Sequence, residues 1–222
     1  TWVMQSQAQE SFAPDAVVSA ARTTQAVTDA LPSTTVITRA DIESATVSDV
    51  VSLLRQQVGV NIRQSGTHGA MTGISIRGGD AQHTLVLVDG VPLNNLSSGS
   101  ASLEQIPLAL VERIEIVRGN VSALYGSQAT GGLVQIFTRK SISGNTADLT
   151  VGVGSEGQRK VSAQLSMGND KMQWTTGVAH EQVNAISAQT GVLVNPDVDG
   201  YRNNSGNIGV RITPNDTTEF GA

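Results

Sequence analysis

The feature of this sequence that most constrains its fold is a regular alternation of apolar and polar residues beyond Lys140. Mostly apolar side chains occupy every second position of 147–153, 161–167 and 172–178, and polar residues or glycine lie between them. The pattern returns at 208–212 and begins again at 218. A period of two predicts antiparallel strands with one apolar face. We therefore expect four strands and the beginning of a fifth in 141–222.

An apolar sheet face can be covered in two ways, and the alternation alone leaves both open. It can pack on the core of a soluble domain, or it can face lipid as the outside of a transmembrane barrel. The connections at 168–170 and 214–216 are tight, whereas 181–206 is long and polar. Short inner turns that alternate with longer outer loops are typical of transmembrane barrels. The connections favour the barrel, with a soluble α+β binding module as the alternative class.

Composition excludes several kinds of function. The 222 residues include 14 Lys+Arg and 19 Asp+Glu, a formal net charge of −5, and no basic cluster, so a nucleic-acid partner is not expected. The absence of cysteine excludes disulfides, thiolate metal sites and thiol nucleophiles. The histidines lie in separate predicted elements and no serine has the nucleophile-elbow pattern, so we do not expect an enzyme.

The chain before the alternating strands divides into three segments. Residues 1–8 end in Ser-Gln-Ala, which suits a signal-peptide cleavage site, so we expect a signal-peptide remnant or, alternatively, an ordinary polar tail. Residues 9–32 have the composition of an extended polar arm. Residues 33–140 carry short strands and long Gly-rich loops, which indicates an α+β domain with functional loops.

Two helices and a series of short strands are expected in this α+β domain. Capping-box patterns, in which a Thr precedes an acidic residue by three positions, predict helix starts at Thr38 and Thr46. The second helix carries an apolar face and ends by Gly59. Strands are predicted over 60–63, 74–77, 84–88, 113–118 and 133–138.

Six stretches of the chain, in this order, resemble the N-terminal part of TonB-dependent outer-membrane receptors. In that family a plug domain precedes a 22-stranded barrel. The resemblance implies an α+β plug domain over 33–140, followed over 141–222 by the first antiparallel strands of a transmembrane β-barrel in the outer membrane of a Gram-negative bacterium. Outer-membrane lipid would surround the strands. The stretches are residues 15–20, 46–60, 74–78, 85–92, 106–119 and 122–136.

The resemblance also implies active transport driven from outside the membrane. TonB, with its inner-membrane energising complex, would pair with the N-terminal arm as an added strand, because main-chain hydrogen bonds supply most of such a grip. Arg77 and Arg118 match family arginines that lock the plug to glutamates of the barrel wall. The arm residues expected to bind TonB are Asp15, Ala16, Val17, Val18, Ser19 and Ala20.

The cargo expected from the resemblance is cobalamin, because 81–90 and 106–115 are similar to the corresponding stretches of cobalamin transporters; a ferric siderophore is the alternative. Asp197 and Asp199 resemble the opening of a calcium-binding loop, so a structural Ca²⁺ is expected there and no other cofactor. Substrate would contact the outward-facing plug loops at Ser65, Gly66, Thr67, His68, Asn94, Asn95, Ser97 and Ser98.

Overall fold

A computed structural model describes residues 16–17, 25–26, 33–47, 49–66, 68–95, 98–140, 144–184, 200–215 and 218–221. These residues form a mixed five-stranded sheet, two short hairpins and an open antiparallel five-stranded sheet. The helices are α1 (Arg39–Ser44), α2 (Val50–Arg55) and α3 (Ser122–Tyr125). The strands are β1 (Ala16–Val17), β2 (Gln25–Ala26), β3 (Thr34–Ile37), β4 (Val60–Gln64), β5 (Thr72–Ile76), β6 (Thr84–Val88), β7 (Val91–Pro92), β8 (Val111–Arg118), β9 (Gly132–Thr138), β10 (Thr146–Val153), β11 (Arg159–Gly168), β12 (Met172–Val183), β13 (Tyr201–Asn215) and β14 (Thr218–Gly221).

The mixed sheet, in the order β3-β8-β9-β6-β7, is the centre of the α+β domain. Apolar side chains cover it on both faces, because Ile114 and Ile136 belong to one buried cluster and Leu133 belongs to another. Strands β6 and β9 run parallel, and parallel strands buried on both faces read as continuous apolar runs. The run Leu85–Val88 is therefore a core strand, as its composition predicts.

The two helices lie against this core and are held by side-chain caps. The predicted start of α1 is confirmed, since Thr38 and Asp41 form a reciprocal capping box. The predicted start of the second helix at Thr46 is wrong: α2 begins at Val50, and Asp49 is its N-cap, with Oδ1 accepting from Ser52 N at 2.7 Å. Among the described residues, no helix has the length and apolar character needed to cross a membrane.

The open sheet has the order β10-β11-β12-β13-β14, which confirms the predicted set of alternating strands. Its polar face is buried: Gln164 Nε2 donates to Thr175 Oγ1 at 2.9 Å, and Ser166 Oγ lies 3.0 Å from the same hydroxyl. Its apolar face is exposed, with Leu165 39% and Val178 59% accessible. A soluble sheet would bury the apolar face, so this arrangement is the reverse of the one that the soluble alternative requires.

The α+β domain packs against the polar face of the open sheet. Gly177 of β12 has no side chain where Leu110 approaches, and a Cβ there would stand 2.8 Å from Leu110 Cδ2. The junction after β9 is held by Arg139, whose Nη2 donates to Asp148 Oδ2 at 2.7 Å. The apolar face of the sheet therefore points away from the domain.

Candidate functional site

Two loops of the α+β domain meet beside the open sheet. Residues 65–71 connect β4 to β5, and residues 93–102 follow β7. Thr72 joins the two loops, because its Oγ1 lies 2.8 Å from Ala101 O and 3.0 Å from Glu104 Oε2. The loops therefore form one connected surface, and both lie near the strand ends that adjoin the long connection 184–200.

Glu181 of β12 gathers three donors from three elements. Its Oε1 is 3.2 Å from His68 Nε2 of the first loop, 2.9 Å from Lys160 Nζ of β11 and 3.1 Å from Gln158 Nε2. The Glu181 side chain is only 12% exposed, so these contacts compensate much of the cost of removing a carboxylate from water. The arrangement attaches the first loop to the wall of the open sheet.

Tyr201, the first residue of β13, makes the second attachment. Its hydroxyl donates to Glu104 O at 2.6 Å, and its ring meets the His68 ring edge-on with centroids 5.0 Å apart. Gly69 lies beneath the Tyr201 ring with φ +84°, and a Cβ at this position would overlap the ring. Glycine is therefore required here both by its left-handed backbone and by the close approach of Tyr201.

Two more residues of β13 extend the contact to the short helical turn Leu103–Gln105. Asn203 Nδ2 donates to Gln105 O at 3.0 Å, and Ser205 Oγ reaches the same carbonyl at 3.4 Å. These side chains satisfy a backbone carbonyl that would otherwise face the sheet without a partner. The side chains of Tyr201, Asn203 and Ser205 thus fix one edge of the site by donating to the main-chain oxygens of Glu104 and Gln105.

The pKa of His68 is raised above its ordinary value, chiefly by the hydrogen bond to Glu181. The negative charges of Glu181 and Asp49 add to this effect, while burial of the imidazole and the charge of Lys160 oppose it. A raised pKa increases the fraction of protonated imidazole near neutral pH. The site can therefore present a cationic ring and an aromatic ring side by side.

Comparison with known proteins identifies the α+β domain. Residues 26–133 match the family model of the TonB-dependent Receptor Plug Domain. These residues are similar to the plug domain of TonB-dependent receptors. The match confirms the predicted fold class, a plug followed by the first strands of a barrel, and the predicted outer-membrane location. The boundaries predicted for the segments 1–8, 9–32, 33–140 and 141–222 stay predictions.

Solved structures superpose on the plug and the open sheet together. The ferric yersiniabactin uptake receptor FyuA from Yersinia pestis is 28% identical, with a TM-score of 0.68 over 85% of this chain and 30% of its own. The siderophore receptor PirA from Acinetobacter baumannii is 24% identical, with a TM-score of 0.67 over 85% of this chain and 30% of its own. The ferripyoverdine receptor of the outer membrane of Pseudomonas aeruginosa is 15% identical, with a TM-score of 0.75 over 93% of this chain and 26% of its own. The chain thus spans less than a third of the length of these receptors.

The first plug loop contains four of the residues predicted to bind substrate. His68 lies in the cluster around Glu181, and Ser65 and Gly66 are exposed beside it. Thr67 lies outside the described residues. A role in substrate binding stays a prediction for all four.

The residues of the second plug loop that are predicted to bind substrate are of two kinds. Asn94 is turned back into the plug: its Oδ1 accepts from Val86 N at 2.6 Å, and its Nδ2 donates to Thr84 O and Gly99 O. Both amide hydrogens of Asn94 are used in this way, so its described role is to shape the loop. Asn95 and Ser98 are exposed, Ser97 lies outside the described residues, and substrate contact by all four stays a prediction.

The two predicted lock arginines lie together at another edge of the plug. Arg118 donates from Nε to Val58 O at 2.8 Å and from Nη1 to Thr35 Oγ1 at 2.7 Å. Arg77 is exposed, with φ +54°, and has no ion-pair partner among the described residues. Burial lowers the pKa of Arg118, and the charge of Arg77 lowers it further. Two adjacent guanidinium groups favour an incoming carboxylate, as the predicted lock requires.

The remaining predicted sites are only partly described. Ala16 and Val17 of the proposed TonB-binding arm form β1, which pairs antiparallel with β2. The other arm residues, Asp15, Val18, Ser19 and Ala20, lie outside the described residues, as do the predicted calcium ligands Asp197 and Asp199. Among the residues that the structure does describe, no group of three or more acidic or histidine side chains could hold a metal.

Sequence reasoning missed three residues that complete the site. Lys160, Glu181 and Tyr201 were assigned no role from the sequence. The long connection expected over 181–206 is shorter than predicted, because β12 extends to Val183 and β13 begins at Tyr201, so Glu181 and Tyr201 lie in strands. The signal was present for Glu181, because a carboxylate near the end of a strand, on its polar face, needs a partner. Which loop supplies that partner depends on the packing of the plug inside the sheet.

Proposed function

We propose that this chain is the plug and the first barrel strands of a TonB-dependent receptor that imports a ferric siderophore across the outer membrane. The match of residues 26–133 to the plug family carries the proposal. The exposed apolar face of the open sheet supports it, because lipid would cover that face in the outer membrane. The receptor would bind and transport its cargo without catalysing a reaction.

A siderophore is favoured over cobalamin by the comparisons and by the chemistry of the site. PirA is named as a siderophore receptor and FyuA as a ferric yersiniabactin uptake receptor. The site also joins a histidine of raised pKa to an aromatic ring, through His68 and Tyr201, and Lys160 lies close by. Cationic and aromatic side chains suit the anionic, ring-bearing ligands of many iron chelates. Cobalamin stays the competing cargo.

The coupling to TonB would use the edge of the N-terminal arm. In β1, Ala16 pairs with Ala26 and Val17 with Gln25, so the arm is already able to adopt an extended, hydrogen-bonded form. A partner strand would bind mainly through main-chain groups, which makes the grip insensitive to most side chains. Val17→Pro removes an N–H donor and should abolish uptake, whereas Val17→Ala should retain most of it.

The test is uptake by a receptor-deficient bacterium that carries the complete receptor gene. Radiolabelled ferric yersiniabactin, ferric enterobactin, ferripyoverdine and cobalamin would be supplied separately, with and without functional TonB. TonB-dependent uptake of one iron chelate is the expected result. Uptake of cobalamin alone would retain the mechanism and change the cargo, and uptake of every compound without TonB would overturn the mechanism.

We further propose that the exposed loop residues and the paired arginines act as the resemblance implies. The exposed members of the two loops would contact cargo beside His68, and Arg77 with Arg118 would bind carboxylates of the barrel wall that lie beyond β14. The guanidinium fork suits such a wet, confined contact because it binds carboxylate through two parallel hydrogen bonds. Substituting both arginines with Gln should make the purified receptor leaky to small solutes in planar bilayers, while Arg55→Gln, also exposed, should not.

A further inference from the structure

Two arginines mark the outer ends of neighbouring strands on the face of the open sheet that points away from the plug. Arg159 begins β11, and Arg202 is the second residue of β13. Gln182 of β12 lies between them, paired with Arg159 on one side and with Arg202 on the other. All three positions therefore form one cross-strand row on a single face.

The spacing of this row suits a phosphate. Neighbouring strands lie about 4.8 Å apart, so the Cα atoms of Arg159 and Arg202 are separated by about 10 Å, within the combined reach of two long side chains. Both residues are exposed, and neither forms an ion pair with another described residue. Two guanidinium forks on one face are well suited to bind the oxygens of a phosphate.

The same face becomes apolar below the arginine row. In the next row Val161 pairs with His180 and His180 with Asn204, and the His180 Nδ1 and Asn204 Oδ1 atoms are 2.6 Å apart. This row, with Ala163 and Val178 beneath it, lines an open depression of about 380 Å³. From the strand ends inward, the face thus changes from two arginines to a row that mixes polar and apolar side chains, and then to apolar side chains. The groups of a lipid that lies against this face follow in the same order, from the phosphate through the linkage to the acyl chain.

The strand ends that carry this row are the outer ones in the proposed receptor. The row adjoins the long connection between β12 and β13, whereas the three-residue and two-residue connections after β11 and β13 lie at the opposite ends of the strands. Arginine at the end of a spanning strand extends its head to the membrane surface while its stem covers apolar area. A lipid of the outer leaflet therefore has its phosphate at the level of Arg159 and Arg202.

We propose that Arg159 and Arg202 bind the phosphate of an outer-leaflet lipid headgroup, with an acyl chain in the depression beside Val161 and Val178. The inference rests on the proposed function, because only a sheet inserted in the outer membrane presents this face to lipid. The bound lipid would hold the outer rim of the strands at a fixed depth while TonB pulls on the plug.

The experiment uses the complete receptor, purified in detergent and transferred to phosphatidylcholine nanodiscs with or without diphosphoryl lipid A. The test variant is Arg159→Gln with Arg202→Gln. The control variant is Lys140→Gln with Lys171→Gln, which removes the same charge at two exposed positions outside the arginine row. Native mass spectrometry counts the lipid A molecules retained, and a titration gives the affinity. Uptake of the siderophore is measured for every variant.

We expect the double arginine variant to bind lipid A about tenfold more weakly than the wild type, and the double lysine variant to bind as the wild type does. Equal binding by all three proteins would overturn the inference, and so would equal weakening by both variants. Displacement of lipid A by millimolar inorganic phosphate would show that the arginines bind free anions, and it would also overturn the inference. Retained siderophore uptake in the variants would show that such a failure leaves the proposed function intact.

Discussion

The ring of Tyr201 occupies the space that a Cβ at Gly69 would need, so one barrel strand covers one plug loop where that loop has no side chain. This contact joins two parts of the chain that the sequence separates widely. It also places the hydroxyl of Tyr201 on Glu104 O, in the turn that supports the second loop. The position of both plug loops therefore depends on how closely Gly69 and Tyr201 approach.

Substituting Gly69 with Ala should displace the first plug loop from the barrel strand. The left-handed backbone, with φ +84°, costs an alanine roughly 1 kcal/mol, and the overlap with the Tyr201 ring adds to that cost. Gly90→Ala is a matched control, since Gly90 has φ +86° and nothing lies within 4 Å of its Cβ position. Thermal unfolding and siderophore affinity of the receptor would be measured for both. A Gly69→Ala defect no larger than that of Gly90→Ala would show that the Tyr201 contact does not matter, and Tyr201→Ala should relieve the excess.

The attachment of His68 should weaken as the pH rises. The folded protein holds the pKa of His68 above its unfolded value of about 6.5, because Glu181 accepts from the imidazole. The stabilisation is complete below the unfolded pKa and is lost as the pH rises through the higher folded pKa. The Ser65 amide donates to Met71 O at 3.2 Å within the same loop. Its protection factor, which is the intrinsic exchange rate divided by the observed rate at each pH, should therefore fall as the pH rises through the folded pKa of His68.

Glu181→Gln tests the origin of this pH dependence. It removes the largest cause of the raised His68 pKa and leaves an amide of almost the same size. The charges of Asp49 and Lys160 still act on His68 in the variant, with opposite signs. In the variant, the loss of protection at the Ser65 amide should shift to lower pH. An unchanged profile would mean that another group controls the loop.

Local patterns predicted much of the fold because its helices and strands are determined largely by residues that are close together in the sequence. The strand predicted over 84–88 coincides with β6, and the Thr38 box begins α1 at the expected residue. The second helix start was predicted three residues early, because Asp49 can serve either as the third residue of a box or as the cap itself. Its side chain caps Ser52, and a pattern of residue types does not decide between these two uses.

The candidate site was less predictable because side-chain direction in a loop does not follow from sequence. Asn94 lies in a polar loop and was predicted to contact substrate, and the bonds of its side chain to the backbone of β6 did not follow from the sequence. Conversely, Glu181 and Tyr201 were expected in the long polar connection 181–206, but they lie in strands and contact the plug. Their roles depend on packing between the plug and the sheet, where contacting residues are far apart in the chain.

Asn94 should prove to be a structural residue rather than a cargo ligand. Asn94→Ala leaves Val86 N, Thr84 O and Gly99 O without this partner and should destabilise the receptor by about 1–3 kcal/mol. Asn95→Ala, at an exposed position of the same loop, should cost much less. Thermal unfolding would be compared with siderophore affinity at low temperature. Loss of affinity by Asn94→Ala with unchanged stability would instead assign Asn94 to the ligand.

The exposed apolar face of the open sheet predicts that the cost of a charged substitution on it depends strongly on its depth in the bilayer. Ile208 and Asn204 lie on the same face of β13, four residues or two pleat repeats apart, and Ile208 is 79% exposed. Ile208→Arg should destabilise the folded receptor in a bilayer by roughly 2–4 kcal/mol, whereas Asn204→Arg, nearer the outer rim, should cost about 0–1 kcal/mol. Reversible folding into phosphatidylcholine vesicles would measure both free energies. If this face instead met water, as in a soluble module, neither arginine would be costly and Ile208→Arg would improve solubility, so equal effects would contradict insertion in lipid.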